Sequence, residues 1–181
     1  MKLTNIDMVW DGCKKQDRKA QAALYHHFSS KMFAVCLRYA KDHLEAEDML
    51  QTGFVKVYTK HHLYDGAGSL EGWIRRIMVN TAIEIYRKRK ITYIDLQEEG
   101  GEVAQMVSTL PADQTAYKDL LQLVNQLPIN YKTIFNLYAI EGFSHKEIAE
   151  NLSITETNSK SQLSRARSWL KERLLKMDNI S

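Results

Sequence analysis

Proline, cysteine and glycine are scarce in this chain: two, two and eight among 181 residues. So few turn residues argue against a many-stranded β fold and favour helices. Cys13 and Cys36 lie far apart and neither belongs to a C-x-x-C pair, so no zinc or redox motif is present and both are expected as reduced thiols. Long apolar runs are missing too, and Met1 to Trp10 alternates polar and apolar residues where a signal peptide needs a continuous apolar stretch. A soluble, cytoplasmic protein with no direct membrane insertion is therefore expected. Nor is there a Ser-His-Asp arrangement, a phosphate-cradling glycine loop or a pair of catalytic carboxylates at a workable spacing. No catalytic residue, enzyme activity or cofactor is expected. His26-His27 and His61-His62 are adjacent pairs whose side chains point about 100° apart on a helix, with no carboxylates at ligand spacing, so no metal is expected either.

What remains is 44% hydrophobic and 26% charged, enough to bury a core and unlike a disordered or fibrous chain. The net charge of +3 is small, but its distribution is uneven. Residues 72–94 hold six basic residues and one acid, residues 95–113 hold five acids and no base, and residues 155–176 hold six bases against two acids. Two basic clusters flanking an acidic spacer are the footprint of contact with a polyanion such as nucleic acid. Two solvated helix faces have the same signature.

The stretch from Ile91 to Ala112 contains Gly100-Gly101, Ser108 and Pro111 without sustained periodicity. It divides the chain into a first domain at residues 1–90, a linker at 91–113 and a second domain at 114–181. A linker of about 22 residues spans at most ~70 Å, or roughly two turns of duplex DNA at ~34 Å each. Both domains read as helical. Ala46, Met49, Leu50, Gly53, Phe54, Val57 and Tyr58 recur at three-and-four spacing, and Leu70, Trp73, Ile74, Ile77, Met78, Thr81 and Ile85 form a second stripe beyond a glycine loop. At 100° per residue, Arg76, Asn80 and Arg87 fall within about 40° of one another beside Trp73, a basic and amide face with an aromatic edge. An earlier helix through Leu24, Phe28, Met32, Val35 and Tyr39 supplies the opposing layer.

In the second domain Leu127-Pro128 ends one apolar run, Gly142 stops the next, and Ser144-His145-Lys146-Glu147 has the spacing of a capping box. The turn Ser153-Ile154 leads to Thr155, a helix cap, and to a basic helix that turns Ser159, Leu163, Ala166 and Leu170 inward. Two helices on a tight turn, the second basic outside, describe a helix-turn-helix. The fold class is all-α, two small helical domains on an acidic linker, the second of winged-helix-like, helix-turn-helix type.

In order and spacing these residues resemble bacterial sigma factors of the extracytoplasmic-function group, over about Lys19 to Leu174. The resemblance rests on Glu45-Ala46-Glu47-Asp48-Met49-Leu50-Gln51 with Phe54, on Trp73-Ile74-Arg75-Arg76-Ile77 with Asn80 and Arg87-Lys88-Arg89, and on Leu127-Pro128, Glu147-Ile148-Ala149-Glu150 and Arg165-Ala166-Arg167. It implies an adaptor that binds core RNA polymerase and promoter DNA, is a monomer when free, and has an anti-sigma factor as a partner. By the same resemblance Asp48, Gln51 and Phe54 would bind polymerase. Trp73, Arg76, Asn80, Arg87 and Lys88, with the loop from Leu63 to Ser69, would handle the melted minus-ten element, Asn80 reading a base. Glu156, Thr157, Asn158, Lys160, Ser161, Arg165 and Arg167 would meet the minus-thirty-five element, and the acidic linker would enter the polymerase. The chain departs from the family pattern at Thr52, Glu84, Asn158, Ser159 and Gln162, so a different promoter sequence is expected. Two other classes fit parts of the chain. A stand-alone helix-turn-helix regulator leaves the Trp73 to Lys90 helix without a task, and a single-strand-processing enzyme should show a catalytic constellation.

Overall fold

The computed structural model describes residues 5–95 and 122–178, with side chains over 6–89 and 122–176. All regular structure among the described residues is helical. The acids of the expected linker beyond Asp95, and the start of the second domain at Gln114, lie outside the described residues. The chain divides into two compact units, Met1–Ile85 and Tyr86–Ser181.

The first unit is built from α1 (Asn5–Lys14), α2 (Arg18–Leu37), α3 (His43–Thr59), a 3-10 turn (His61–Leu63) and the greater part of α4 (Leu70–Asp95). Capping residues set the starts. The Asp17 carboxylate accepts from the Lys19 N–H (2.8 Å) at α2, and that of Asp42 from the Glu45 N–H (2.8 Å) at α3. Such caps satisfy orphan backbone donors and contribute about 1 kcal/mol each. Leu24, Phe28, Met32, Ala46, Met49, Phe54, Val57, Ile74 and Met78 are all buried, so the two stripes pack as their periodicity requires. α4 buries more than its stripe: Val79, Ala82 and Ile83 are also in the core. α1 is an addition to the helices expected from the sequence, and its Ile6, Val9, Trp10, Cys13 stripe contributes the buried Trp10 and Cys13. α3 and α4 approach closely because Gly53 has no side chain, and a Cβ there would run into the Met78 thioether. Both cysteines are free, and burial pushes their pKa values up, to about 11 for Cys13 and about 12 for Cys36. They stay protonated thiols at neutral pH.

α4 runs on to Asp95, five residues past the expected domain edge at Lys90, because no glycine or proline stands between Arg89 and Asp95 to stop it.

In the second unit residues 122–125 are helical, and Pro128 serves as N-cap of α5 (Ile129–Phe135) rather than lying in its first turn. α5 widens into a π turn over Asn136–Ile140, after which Gly142 turns with φ of 78°. α6 (His145–Leu152) and α7 (Glu156–Asp178) complete the helix-turn-helix, with Ser153 in the left-handed region at φ of 52°. No strand, and so no wing, is found among the described residues. Leu123, Val124, Leu127, Ala166 and Leu170 form one core cluster, with Tyr131, Phe135 and Trp169 against it. Ile148 and Leu152 of α6 and Ser159 and Leu163 of α7 are fully or nearly buried, so with Ala166 and Leu170 one face of α7 is inward and the opposite face is left to solvent.

Candidate nucleic-acid and polymerase surfaces

Three surfaces emerge. The first is a face of α3. Leu44, Asp48, Gln51 and Val55 lie within about 60° of one another at 100° per residue, and all four are exposed. Leu44 and Val55 keep 69% and 60% of their surface in water, costly for aliphatic side chains unless a partner covers them. Gln51 also borders a groove of about 340 Å3 between α2 and α3, with Tyr25, Phe33 and His43. Phe54 is not on this face. It is 2% exposed and packed between Tyr25 and Tyr58, with ring centroids at 4.8 and 6.0 Å. The expected anchor is therefore a core residue, for Phe54 stands about 100° around the helix from Val55 and so faces inward.

The second surface is a cleft of about 200 Å3 where the end of α3 and the 3-10 turn meet α4. Trp73, Arg76, Ile77, Asn80 and Glu84 line it from α4, and Lys56, Lys60 and Leu63 from the other side. The Lys56 ammonium donates to Thr81 Oγ1 (3.1 Å) and to the Glu84 carboxylate (2.7 Å). This balances one of the three cations that line the cleft, which presents Lys60 and Arg76 together with an amide, an aromatic edge and an aliphatic rim. Trp73 is only half-buried, and its ring packs on Trp10 of α1 (5.6 Å) and Tyr64 (5.4 Å), while the Tyr64 hydroxyl donates to the Gly68 carbonyl (2.9 Å). The ring thus also holds Tyr64 and, through the tyrosine hydroxyl, the loop to Gly68. Leu63 belongs to the loop the resemblance assigns to the minus-ten element, whereas Lys56 and Lys60 carry no signal in the sequence because they meet Asn80 only through tertiary packing.

Arg87 does not join that group. It falls in the second unit, where its guanidinium donates to the carbonyls of Glu150 (3.1 Å) and Asn151 at the end of α6. The orphan carbonyls and negative dipole end of a helix terminus attract a guanidinium, which overrides the angular grouping with Arg76 and Asn80. Lys88 is exposed.

The third surface is α7. Ser144 and Glu147 form the capping box of α6: the serine Oγ accepts from the Glu147 N–H (3.2 Å) and the carboxylate accepts from the Ser144 N–H (2.8 Å). The Ser144 hydroxyl also donates to the same carboxylate oxygen (2.7 Å), and the two donations it receives from Ser144, backbone first, hold the Glu147 carboxyl below its usual pKa. Thr155 Oγ1 accepts from the Asn158 N–H (3.1 Å) at the start of α7. Glu156, Thr157, Asn158, Lys160, Ser161, Arg165 and Arg167 are all exposed, but they do not share one direction. Lys160 and Arg167 lie on one flank, and Asn158 and Arg165 stand roughly 140–160° around the helix from Lys160.

Among the described residues no group of three His, Cys, Asp or Glu side chains is placed to hold a metal, and no helix is long and apolar enough to cross a membrane.

Residues 24–91 match the family described as Sigma-70 region 2, and residues 117–170 match Sigma-70, region 4. The chain is 31% identical over 149 residues to the ECF RNA polymerase sigma factor SigM of Bacillus subtilis, covering 82% of this chain and 91% of the relative. It is 30% identical over 172 residues to SigW of the same organism, covering 89% and 92%. Among solved structures it is similar to the sigma factor RpoE of Bartonella quintana, crystallised with the anti-sigma factor NepR, at a TM-score of 0.54 and 23% identity, over 87% of this chain and 97% of that one. That likeness concerns the fold.

Proposed function

The chain belongs to the extracytoplasmic-function group of sigma-70-family sigma factors, and from that premise we propose how its surfaces bind core RNA polymerase and direct promoter-specific initiation. The observation that carries the reading is the order of two sigma regions on one chain, each with a distinct exposed polar surface. On α3, Asp48 and Gln51 make the polar centre of the polymerase contact, with Leu44 and Val55 replacing Phe54 as its apolar ends. The cleft at Asn80 takes a base of the minus-ten element. Opening a duplex costs ~1.4 kcal/mol of stacking per base-pair step. An extruded base held by amide hydrogen bonds and aromatic contact offsets part of that cost. Asn80 reads the base edge, Trp73 and Leu63 supply apolar contact, and Arg76 and Lys88 meet phosphates.

In the second unit α7 enters the major groove at the minus-thirty-five element, its first turns reaching base edges and Arg165 and Arg167 the backbone. The domains follow as region 2 over residues 1–90 and region 4 over 114–181, with 91–113 between them. The protein acts in the cytoplasm as a monomer until it joins polymerase, without catalytic chemistry of its own. An anti-sigma protein restrains it until an extracytoplasmic or stress signal arrives, as NepR accompanies the Bartonella RpoE.

The test is run-off transcription on fragmented genomic DNA by core polymerase with and without the protein, followed by sequencing of transcript starts. Protein-dependent starts that share two upstream motifs are expected. If the protein alone binds duplex DNA as a dimer while core gains no start sites, the stand-alone regulator replaces this reading.

A further inference from the structure

One flank of α7 carries more than the base-reading assignment uses. Lys160, Ser164, Arg167 and Lys171 follow at intervals of four, three and four residues, which keeps them within about 60° of one another. With Ser168 and His145 they line an open cleft of about 290 Å3 that has no acidic lining residue. Glu156 stands at its edge, 3.7 Å from the Lys160 ammonium. His145 is the first residue of α6 and is held on two sides. Its ring stacks on Tyr138, with centroids 4.6 Å apart and planes 23° from parallel, and its Nδ1 lies 2.9 Å from the Oγ of the buried Ser159. The same Tyr138 ring carries the Arg167 guanidinium 5.7 Å from its centroid. One aromatic ring therefore sets the positions of both the imidazole and the guanidinium.

With the Ser159 hydroxyl as donor to Nδ1, the neutral imidazole carries its proton on Nε2, where it faces outward as a donor; the 2.9 Å contact is compatible with that tautomer. Burial, then the charges of Lys160 and Arg167, hold the imidazole pKa below its ordinary value against the opposing pull of Glu156. The free protein thus presents a neutral donor beside three cations and two hydroxyls, a donor set suited to a tetrahedral oxyanion.

We propose that this cleft seats one backbone phosphate of the duplex engaged by α7, with His145 Nε2 and the Ser164 and Ser168 hydroxyls donating to its oxygens and Lys160, Arg167 and Lys171 balancing its charge. The proposal rests on the reading of the second unit as the minus-thirty-five module. It makes a phosphate clamp of four residues outside the predicted set, His145, Ser164, Ser168 and Lys171. A seated phosphate favours the imidazolium, so binding takes up a proton. Promoter affinity then rises as pH falls from the bound toward the free pKa of His145.

The test uses holoenzyme, assembled from core polymerase and the full chain, on a promoter found by start-site mapping. Affinity is measured against salt and pH for the wild type, Lys171→Gln and His145→Gln. Lys171→Gln is expected to weaken promoters of every sequence by roughly three- to tenfold and to lower the salt slope by about 0.9. His145→Gln should flatten the pH dependence. Neutral methylphosphonates placed one at a time in the minus-thirty-five duplex should reveal one position at which both substitutions cease to matter.

If both variants match the wild type in affinity, salt slope and pH profile while Asn158→Ala weakens binding, the clamp is wrong and the sigma reading stands. A protein that yields no promoter-specific starts with core sinks the reading and the clamp together. If inorganic phosphate, against chloride at equal ionic strength, competes with the wild type but not with Lys171→Gln, and no methylphosphonate position is singled out, the seat belongs to free phosphate and the duplex assignment is overturned. Lys171 is exposed and its substitution leaves the core intact, so the outcome does not depend on whether His145→Gln folds.

Discussion

The two units build their DNA-facing surfaces by different means. The cleft at Asn80 draws on three separate segments, the end of α3, the 3-10 turn and α4, and it exists only while those segments pack. The basic surface of the second unit lies along one helix, α7, set by a capped turn and a single buried stripe. Their electrostatics differ accordingly. Each cleft is lined by three cations, but the first has Glu84 within its lining, 2.7 Å from Lys56, whereas the second has no acid in its lining and Glu156 lies 3.7 Å from Lys160. A pocket for an unstacked base gains most from shape and hydrogen bonds, and a duplex-facing helix gains most from charge. The contrast makes the first surface sensitive to the core and the second sensitive to salt.

The sharpest way to break this contrast is Phe54→Ala. Removing a buried phenylalanine ring costs about 3–5 kcal/mol, and Phe54 is in the core behind the polymerase-facing side of α3. Thermal unfolding should show the first unit melting much earlier while the second is unchanged. Val55→Asp, on the exposed face one residue on, should weaken core binding and leave the melting curve in place. If Phe54→Ala leaves the melting of the first unit alone but abolishes core binding, the side chain is an anchor after all. Asn80→Ala comes next. Losing a base-edge contact costs about 1–3 kcal/mol, so open-complex formation should fall by roughly one to two orders of magnitude with core affinity unchanged. Equal losses in opening and in core binding would show that the cleft does not read a base.

The same contrast explains what was legible in the sequence. Periodicity placed α2, α3, α4 and the helix-turn-helix, because each has a buried stripe that repeats within one helix. Asp48 and Gln51 come from the resemblance, and the exposed Leu44 and Val55 that share their face carry no motif. The resemblance supplies residue types and not the burial of a ring, so it puts Phe54 on the polymerase contact where the structure puts it in the core. Arg87 was grouped by angle with Asn80, yet its guanidinium follows helix-end carbonyls that no linear pattern reveals. α1 escaped although Ile6, Val9, Trp10 and Cys13 keep three-and-four spacing, because a stripe of four positions in a ten-residue segment is short. His145 escaped for a different reason. Its partners Tyr138 and Ser159 are seven residues before it and fourteen after it, and only the helix-turn-helix brings the three together.

The smallest predicted effect tests whether the second surface is built as locally as it looks. Ser144→Ala removes the cap of α6 and should cost about 1 kcal/mol, confined to the second unit. It should also change the acid limb of that unit's stability. The Glu147 carboxyl has its folded pKa lowered by the bonds it accepts from Ser144. Its contribution is therefore fully present above the unfolded carboxylate value and is lost as pH falls through the folded one. In wild type, stability should decline through that acid window; in Ser144→Ala the decline should be shallower, because the backbone and hydroxyl donors no longer act together. Melting temperatures of both proteins from neutral to acid pH measure this. Parallel curves would mean that the capping bond does not couple to the carboxylate. Curves that converge toward acid would show that the turn in front of α7 is held by an ion-assisted bond formed within four residues.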